Sequence, residues 1–191
     1  MKEEMELALI KSYAKKCHED ANCKYDGKPY FIHVEMVAEI VLANKNIFKK
    51  FDDFLITYRA AFTHDTIEDA KQTFNNVKDV CGEDVAKITL AVTDVHGENR
   101  LMRHLLTMHK TVSDYRAIIL KMADIYANAT YSANTGSSMY KKYREEYAYR
   151  KPIFKKALSW YKEYLDMDEV EKLWEKLDII HSLQIKNNGK K

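Results

Sequence analysis

Glycine and proline are scarce in this 191-residue chain, five and two residues respectively. An all-β sandwich or barrel, whose many turns need them, is thereby excluded. Cysteine is scarce too. Cys17, Cys23 and Cys81 are an odd number without CxxC spacing, which argues against a disulfide framework and for reduced thiols. No apolar run approaches the length that spans a bilayer, and the opening Met-Lys-Glu-Glu-Met-Glu lacks the apolar stretch of a signal peptide. Charge of one sign is also missing: 31 Lys and Arg stand against 29 Asp and Glu, a net +2. That balance leaves no footprint for nucleic acid. The expectation is a soluble cytoplasmic protein with neither nucleic acid nor membrane as partner, its oligomeric state open.

What is present favours helices, and the expected fold class is all-α, in one domain over 1–185 with 186–191 a frayed basic tail. Leu7, Ile10, Ala14 and Cys17 lie on one stripe of a first helix, Glu3–His18. Residues 21–28 form a polar loop holding Asp26-Gly27, and Pro29 opens a second helix through Ala43. On that helix Glu35 and Glu39 mark a solvent face, while His33 shares the apolar stripe of Val37 and Ile40. Phe51, Phe54, Leu55, Tyr58 and Phe62 keep helical spacing and lead into Asp65. Further helices are predicted over 74–80, 83–92, 101–109, 115–131, 138–165 and 168–183. The segments 99–103 and 134–138 are the least regular and read equally well as loops.

Two fragments carry chemistry. His64-Asp65-Thr66-Ile67-Glu68-Asp69 packs four groups able to ligate metal or move protons into six residues. If the third helix continues through Asp69, Glu68 lies four residues past His64, and Asp69 four past Asp65, on adjoining faces. Three acids at a helix C-terminus oppose the macrodipole; a bound cation would explain them, and so would a solvated acidic helix end. The second fragment is Lys121, Asp124 and Asn128, spaced i, i+3, i+7 on a segment otherwise apolar all round. Such a helix is normally buried, so the stripe lines either an internal cleft or a thin solvent face with a Lys121–Asp124 ion pair. An unpaired buried carboxylate is costly unless a cation or hydrogen bonds offset it. His33 reads as a packed core residue or as a ligand. His18, His96, His104, His109 and His181 follow no zinc-helix spacing and are read as surface groups or groups behind the site.

Taken together these fragments resemble an HD-domain metal phosphohydrolase. Within that superfamily they are similar to the RelA/SpoT-type hydrolases of guanosine tetraphosphate (ppGpp), especially the small stand-alone members. Lys24-Tyr25-Asp26-Gly27-Lys28-Pro29-Tyr30-Phe31-Ile32-His33 resembles the family's Arg-Lys-x-Gly-x-Pro-Tyr-x-x-His. Residues 60–69 resemble its His-Asp-x-x-Glu-Asp segment, and Val80–Ala86 with Ala91–Asp94 its Phe-Gly-x-x-Val-Ala and Val-Thr segments. Leu120–Asn128 resembles its Lys-Leu-Ala-Asp-x-x-x-Asn helix. The resemblance runs from about residue 14 to residue 147.

The resemblance implies one divalent metal ion, usually Mn²⁺, on His33, His64, Asp65 and Asp124. It sets Glu68 and Asp69 where the hydrolytic water is activated. Lys24, Lys121, Asn128 and Tyr147 become candidates to hold a phosphorylated nucleotide. The implied reaction releases pyrophosphate from the 3′ side of ppGpp. Three departures bear on substrate and fit: Val34 follows His33 where Pro is usual, Lys24 replaces an Arg and loses its bidentate fork, and Ile125 fills a position usually basic. Three alternatives stay open. The same chemistry acts on another nucleotide, such as the 2′-phosphate of NADPH or a nucleoside monophosphate; or the chain is a silent nucleotide-binding module; or it is a helical interaction protein without a ligand.

Overall fold

The computed structural model describes residues 2–183, so the basic stretch 186–191 lies outside the described residues. Nine α-helices carry the described chain: α1 (Lys2–Asp20), α2 (Phe31–Ala43), α3 (Phe51–Thr63), α4 (Phe74–Cys81), α5 (Glu83–Val92), α6 (Arg100–Thr111), α7 (Tyr115–Thr135), α8 (Met139–Leu158) and α9 (Met167–Ser182). The all-α expectation holds, and none of these helices is long and apolar enough to cross a membrane.

Helix α7 is the axis of the fold. It packs against α2, α3, α5, α6, α8 and α9 and buries Ala117, Ile118, Ile119, Leu120, Met122, Ala123 and Ile125. Burial on nearly every face is why its sequence shows apolar residues all round. Asp114 caps its N-terminus, the carboxylate accepting from the Arg116 amide at 2.8 Å. Gly136 ends it in the left-handed region, φ +67, a conformation glycine adopts without strain.

The polar loop after α1 contains a small hairpin that the sequence reading did not include. Lys24–Tyr25 (β1) pairs antiparallel with Lys28–Pro29 (β2). Asp26 and Gly27, at φ 51 and 77, form the turn between them, two positive φ values as a tight right-twisted hairpin requires. Pro29 therefore belongs to the hairpin, and α2 begins two residues later than its first expected position.

Three further boundaries differ. Helix α3 stops at Thr63 instead of running through Asp69. The Thr66 amide and hydroxyl both donate to the Thr63 carbonyl, at 2.9 and 2.7 Å, occupying the acceptor that a continuing helix would use. Helix α8 ends at Leu158, short of 165, because the following backbone bonds across to residues 47–49. The Lys49 amide donates to the Tyr164 carbonyl, and the Asp166 amide to the Ile47 carbonyl. The uncertain segment 99–103 is mostly helical, with Asn99 as cap to the Met102 amide at 3.0 Å.

Three of the histidines read as surface groups or groups behind the site are buried and so not at the surface: His18, His104 and His181 are 1%, 3% and 6% exposed. His18, in the last turn of α1, stacks on Tyr30 at 4.6 Å. Neither of its ring nitrogens has a hydrogen-bond partner among the described residues. Burial pushes its pKa down to about 4.

Two tests follow from this packing. Leu120→Ala, at a fully buried position, is expected to lower the unfolding free energy by about 2–5 kcal/mol. Leu42→Ala, 44% exposed, should change it by less than ~0.5 kcal/mol. Urea unfolding measures both, and equal losses would remove α7 from the centre of the fold. For His18 the folded pKa lies below the unfolded one. Its contribution is therefore intact above about pH 6.5 and lost as the pH falls toward 4, because the unfolded chain takes up the proton first. His18→Phe should flatten the fall in urea midpoint between those pH values; an unchanged slope would contradict a neutral buried imidazole.

Candidate metal centre

Three structural elements bring two imidazoles and two carboxylates to one point. His33 comes from the first turn of α2, His64 and Asp65 from the turn after α3, and Asp124 from the middle of α7. His33 Nε2 lies 3.2 Å from Asp124 Oδ1 and 3.4 Å from Asp65 Oδ2. His64 Nε2 lies 2.9 Å from Asp65 Oδ2, 4.0 Å from Asp124 Oδ1 and 3.3 Å from His33 Nε2. Atoms that ligate one ion at about 2.0–2.2 Å sit roughly 3–4 Å from each other; His33, His64 and Asp124 offer atoms within 4.8 Å of one another, a spacing that suits a shared cation, and Asp65 adjoins both imidazoles. Mixed imidazole and carboxylate donors suit a divalent first-row ion.

The tautomer of His64 is set by its other nitrogen. Nδ1 donates to the Ala61 carbonyl at 2.9 Å, which leaves the Nε2 lone pair facing the site. Burial opposes charge on His64, but Asp65 raises its pKa, and His33 shifts in the same direction. Burial works against its charged form, but its bonds to Asp124 and Asp65 outweigh that and raise its pKa to about 9. The two carboxylates thus favour a proton on His33.

Neighbours keep the carboxylates anionic and oriented. The Tyr30 hydroxyl donates to Asp65 Oδ2 at 2.7 Å. Asn128 Nδ2 donates to Asp124 Oδ1 at 2.6 Å, and Tyr25 in turn donates to Asn128 Oδ1 at 2.9 Å. Lys121 Nζ stands 3.1 Å from Asp124 Oδ2. Burial opposes ionisation of Asp124 and Asp65, yet Lys121 and His33 beside the one, and His64 and His33 beside the other, hold both pKa values below the usual carboxylate range. Burial likewise disfavours charge on Lys121, and Asp124 with Asp94 more than restores it.

Except for His64, which is buried outside the lining, these groups form one wall of a cleft of about 240 Å³. Glu68 and Asp69 line its rim. Although both residues reach solvent, loss of water at the cleft wall raises both carboxyl pKa values, and Asp65 adds to the shift of Asp69. Glu68 Oε2 is anchored by the Asp94 amide at 2.9 Å.

Of the expected nucleotide-holding residues, Lys121 and Asn128 line this cleft and Lys24 and Tyr147 do not. Lys24 is exposed on β1, where the strand alternation turns its neighbour Tyr25 inward instead. Tyr147 is buried between α8 and α9. Its hydroxyl donates to Asp178 at 2.6 Å and its ring stacks on His181 at 4.0 Å. Tyr143, one turn earlier on α8, lines the cleft in its place, with Tyr25 and Tyr30 from the hairpin side.

The sequence reading gave no role to Tyr30, Asp94, Arg100, Glu146 and Arg150, and read His104 as a surface group or one behind the site; all six line the cleft. Tyr30 and Asp94 stood inside the quoted motifs without an assigned role. The i, i+4 spacing of Glu146 and Arg150 was a signal of an ion pair, not of a site.

With the geometry in place, the chain can be set beside known proteins. A family profile described as HD domain matches residues 11–149, a span holding all four converging residues. The chain is 31% identical over 123 residues to a guanosine-3′,5′-bis(diphosphate) 3′-pyrophosphohydrolase of Aquifex aeolicus, covering 62% of this chain and 16% of that protein. It is 27% identical over 135 residues to a probable guanosine-3′,5′-bis(diphosphate) 3′-pyrophosphohydrolase of Mycoplasma genitalium, covering 62% of this chain and 18% of that protein. The matches thus span less than a fifth of either relative. A solved structure described as a metazoan ortholog of SpoT that hydrolyzes ppGpp and plays a role in starvation responses aligns with a TM-score of 0.66 at 23% identity. That alignment covers 92% of this chain and 93% of the other, and the two share the fold. Matched by the family profile over most of its length, and carrying the converged His and Asp side chains within that match, the chain belongs to the HD-domain family.

Proposed function

We propose that this protein is a divalent-metal-dependent hydrolase that releases pyrophosphate from the 3′ side of guanosine 3′,5′-bis(diphosphate), leaving GDP. One observation carries the reading: two imidazoles and two carboxylates converge in a polar cleft directly beside two further carboxyls of raised pKa. The curated relatives, named for this activity, support the choice of substrate.

In this reading His33, His64, Asp65 and Asp124 hold the ion, which we take to be Mn²⁺. When bound, such an ion makes hydroxide available near neutral pH and draws charge from the phosphoryl oxygens. The remaining work falls to the protein. Glu68, fixed by the Asp94 amide, and Asp69 on the same turn accept the proton of the attacking water. Their raised pKa values bring them closer to the working pH, where proton transfer is efficient. The bond between phosphorus and the ribose 3′ oxygen breaks, and the proton returns to that oxygen. Lys121 contributes positive charge at the cleft wall. Asn128 holds Asp124 in place.

The cleft is smaller than the roughly 300–1,000 Å³ of pockets that enclose a whole drug-sized ligand. It takes phosphate groups and ribose, with the base at its mouth. In this account the protein works in the cytoplasm, in keeping with its three free thiols. A second reading, hydrolysis of another phosphorylated nucleotide such as the 2′-phosphate of NADPH, draws on two observations: Ile125 lines the cleft where the family is usually basic, and Lys24 lies outside it.

Incubation of purified protein with Mn²⁺ and ppGpp, with chromatography of the products, is expected to yield GDP and pyrophosphate. Turnover of NADPH or a monophosphate with ppGpp untouched would transfer the assignment to the second reading. Asp65→Asn should lose the metal, because an amide oxygen is a poorer, neutral ligand. Glu68→Gln and Asp69→Asn should keep the metal and lose about 10²–10⁴-fold in kcat. Elemental analysis beside kcat separates these roles; equal loss of metal in all three variants would show the division to be wrong.

A further inference from the structure

Glu68 is exposed, and an exposed glutamate side chain turns freely among its rotamers unless something holds it. Among the described residues one hydrogen-bond donor does so, the Asp94 amide. Whatever fixes the direction of that amide also fixes the carboxylate. Asp94 lies on the loop between α5 and α6, and the amides on either side of it are anchored in different places. The Thr93 amide donates to the Thr89 carbonyl at 3.1 Å and closes the last turn of α5. The Val95 amide donates to the Thr107 hydroxyl at 3.1 Å, across to α6.

Thr107 is buried, and its own proton goes to the Arg103 carbonyl at 2.8 Å. The hydroxyl therefore presents a lone pair, and no proton, to Val95. Peptide units are planar, so anchoring the amides on both sides aims the Asp94 N–H at Glu68. The same face of α6 secures the rest of the junction. Lys110 Nζ donates to the Leu90 carbonyl at 2.7 Å, and the Thr111 hydroxyl to the Ala91 carbonyl at 2.8 Å. Both carbonyls belong to the last turn of α5, where no helical partner follows. Farther along the loop, Gly97 lies so close to α6 that an added Cβ would stand 2.8 Å from the Arg103 backbone nitrogen.

We propose that Thr107 is a positioning residue for the hydrolytic base: its hydroxyl holds the α5–α6 loop so that the Asp94 amide meets the Glu68 carboxylate at the rim of the cleft. The inference rests on Glu68 as proton acceptor and deepens that reading. Thr107 does not line the cleft; it acts through two backbone amides. An amide bond favours the ionised carboxyl. Burial opposes ionisation of Glu68, Lys121 on α7 favours it, the Asp94 and Asp65 carboxylates oppose it, and Lys110 on α6 favours it. Loosening the Asp94 amide should accordingly raise the Glu68 pKa further.

Thr107→Val keeps the shape of the side chain and removes the hydroxyl. An NMR titration of the metal-free protein reads two signals, the Glu68 side-chain carboxyl, identified by its loss in Glu68→Gln, and the Asp94 amide. In the wild type the Asp94 amide proton should shift as Glu68 ionises, because it donates to that carboxylate. In Thr107→Val that shift should shrink to about half or less, and the Glu68 midpoint should rise by about 0.5–1 pH unit. Thr107→Ser, which restores the hydroxyl, should return both signals to wild type. Should Thr107→Val fail to fold, Gly97→Ala carries the test, since its Cβ pushes the same loop off α6, and the same two changes are expected. Wild-type signals in the folded variant, or a wild-type Asp94 amide that ignores Glu68, overturn the inference. On the same preparations with Mn²⁺, kcat for ppGpp should fall roughly 3–10-fold in Thr107→Val with KM unchanged, and recover in Thr107→Ser. An unchanged kcat beside an active wild type would also overturn it. Absence of ppGpp turnover in the wild type, with both NMR signals behaving as described, would count against the proposed reaction and leave the hold of Thr107 on Glu68 standing.

Discussion

A carboxylate in the middle of the most buried helix needs compensation, and the surroundings of Asp124 are arranged to supply it. Lys121 one turn before it, Asn128 one turn after it and His33 across from α2 all direct positive charge or hydrogen-bond donors at its two oxygens. Each of these then needs its own support. Tyr25 fixes Asn128, and the hairpin exists to bring Tyr25 there. Tyr30 fixes Asp65, and α1 covers Tyr30 with His18. Removing Asp124 would leave Lys121 without its buried ion-pair partner and His33 with Asp65 as its remaining carboxylate.

The cleft is divided by charge. At the α2–α3–α7 end, carboxylates outnumber the cations, a balance that suits a divalent ion and repels a bare phosphate. At the α6–α8 end Arg100 and Arg150 share Glu146, and Asp94 lies 3.8 Å from His104. Glu68 and Asp69 sit at the rim between solvent and ion, where a partly desolvated carboxyl accepts a proton more readily than one fully in water.

Much of this was legible in the sequence where local periodicity and chemistry coincide. Lys121, Asp124 and Asn128 on an apolar helix marked a cleft because i, i+3, i+7 spacing survives in any buried helix. His33 on the stripe of Val37 and Ile40 faced inward for the same reason. The end of α3 was not legible, since Thr66 competes for a backbone carbonyl by a side-chain bond that residue periodicity does not encode. Lys24 and Tyr147 were placed by resemblance. A two-residue strand turned the first outward, and the α8–α9 contact took the second, one turn from Tyr143, which reaches the cleft. Arg100 and Glu146 are 46 residues apart, and only the packing of α6 near α8 brings them together, so no local pattern announces them.

The central claim is that His33, His64, Asp65 and Asp124 are ligands of one ion. Anomalous diffraction from crystals grown with Mn²⁺ tests it most directly. The account predicts a single strong anomalous peak within coordination distance of His33 Nε2, His64 Nε2, Asp65 and Asp124, with Glu68 and Asp69 outside the coordination sphere. A peak held by Glu68 and Asp69 instead, or no peak in this cleft from protein that turns over nucleotide, would contradict it.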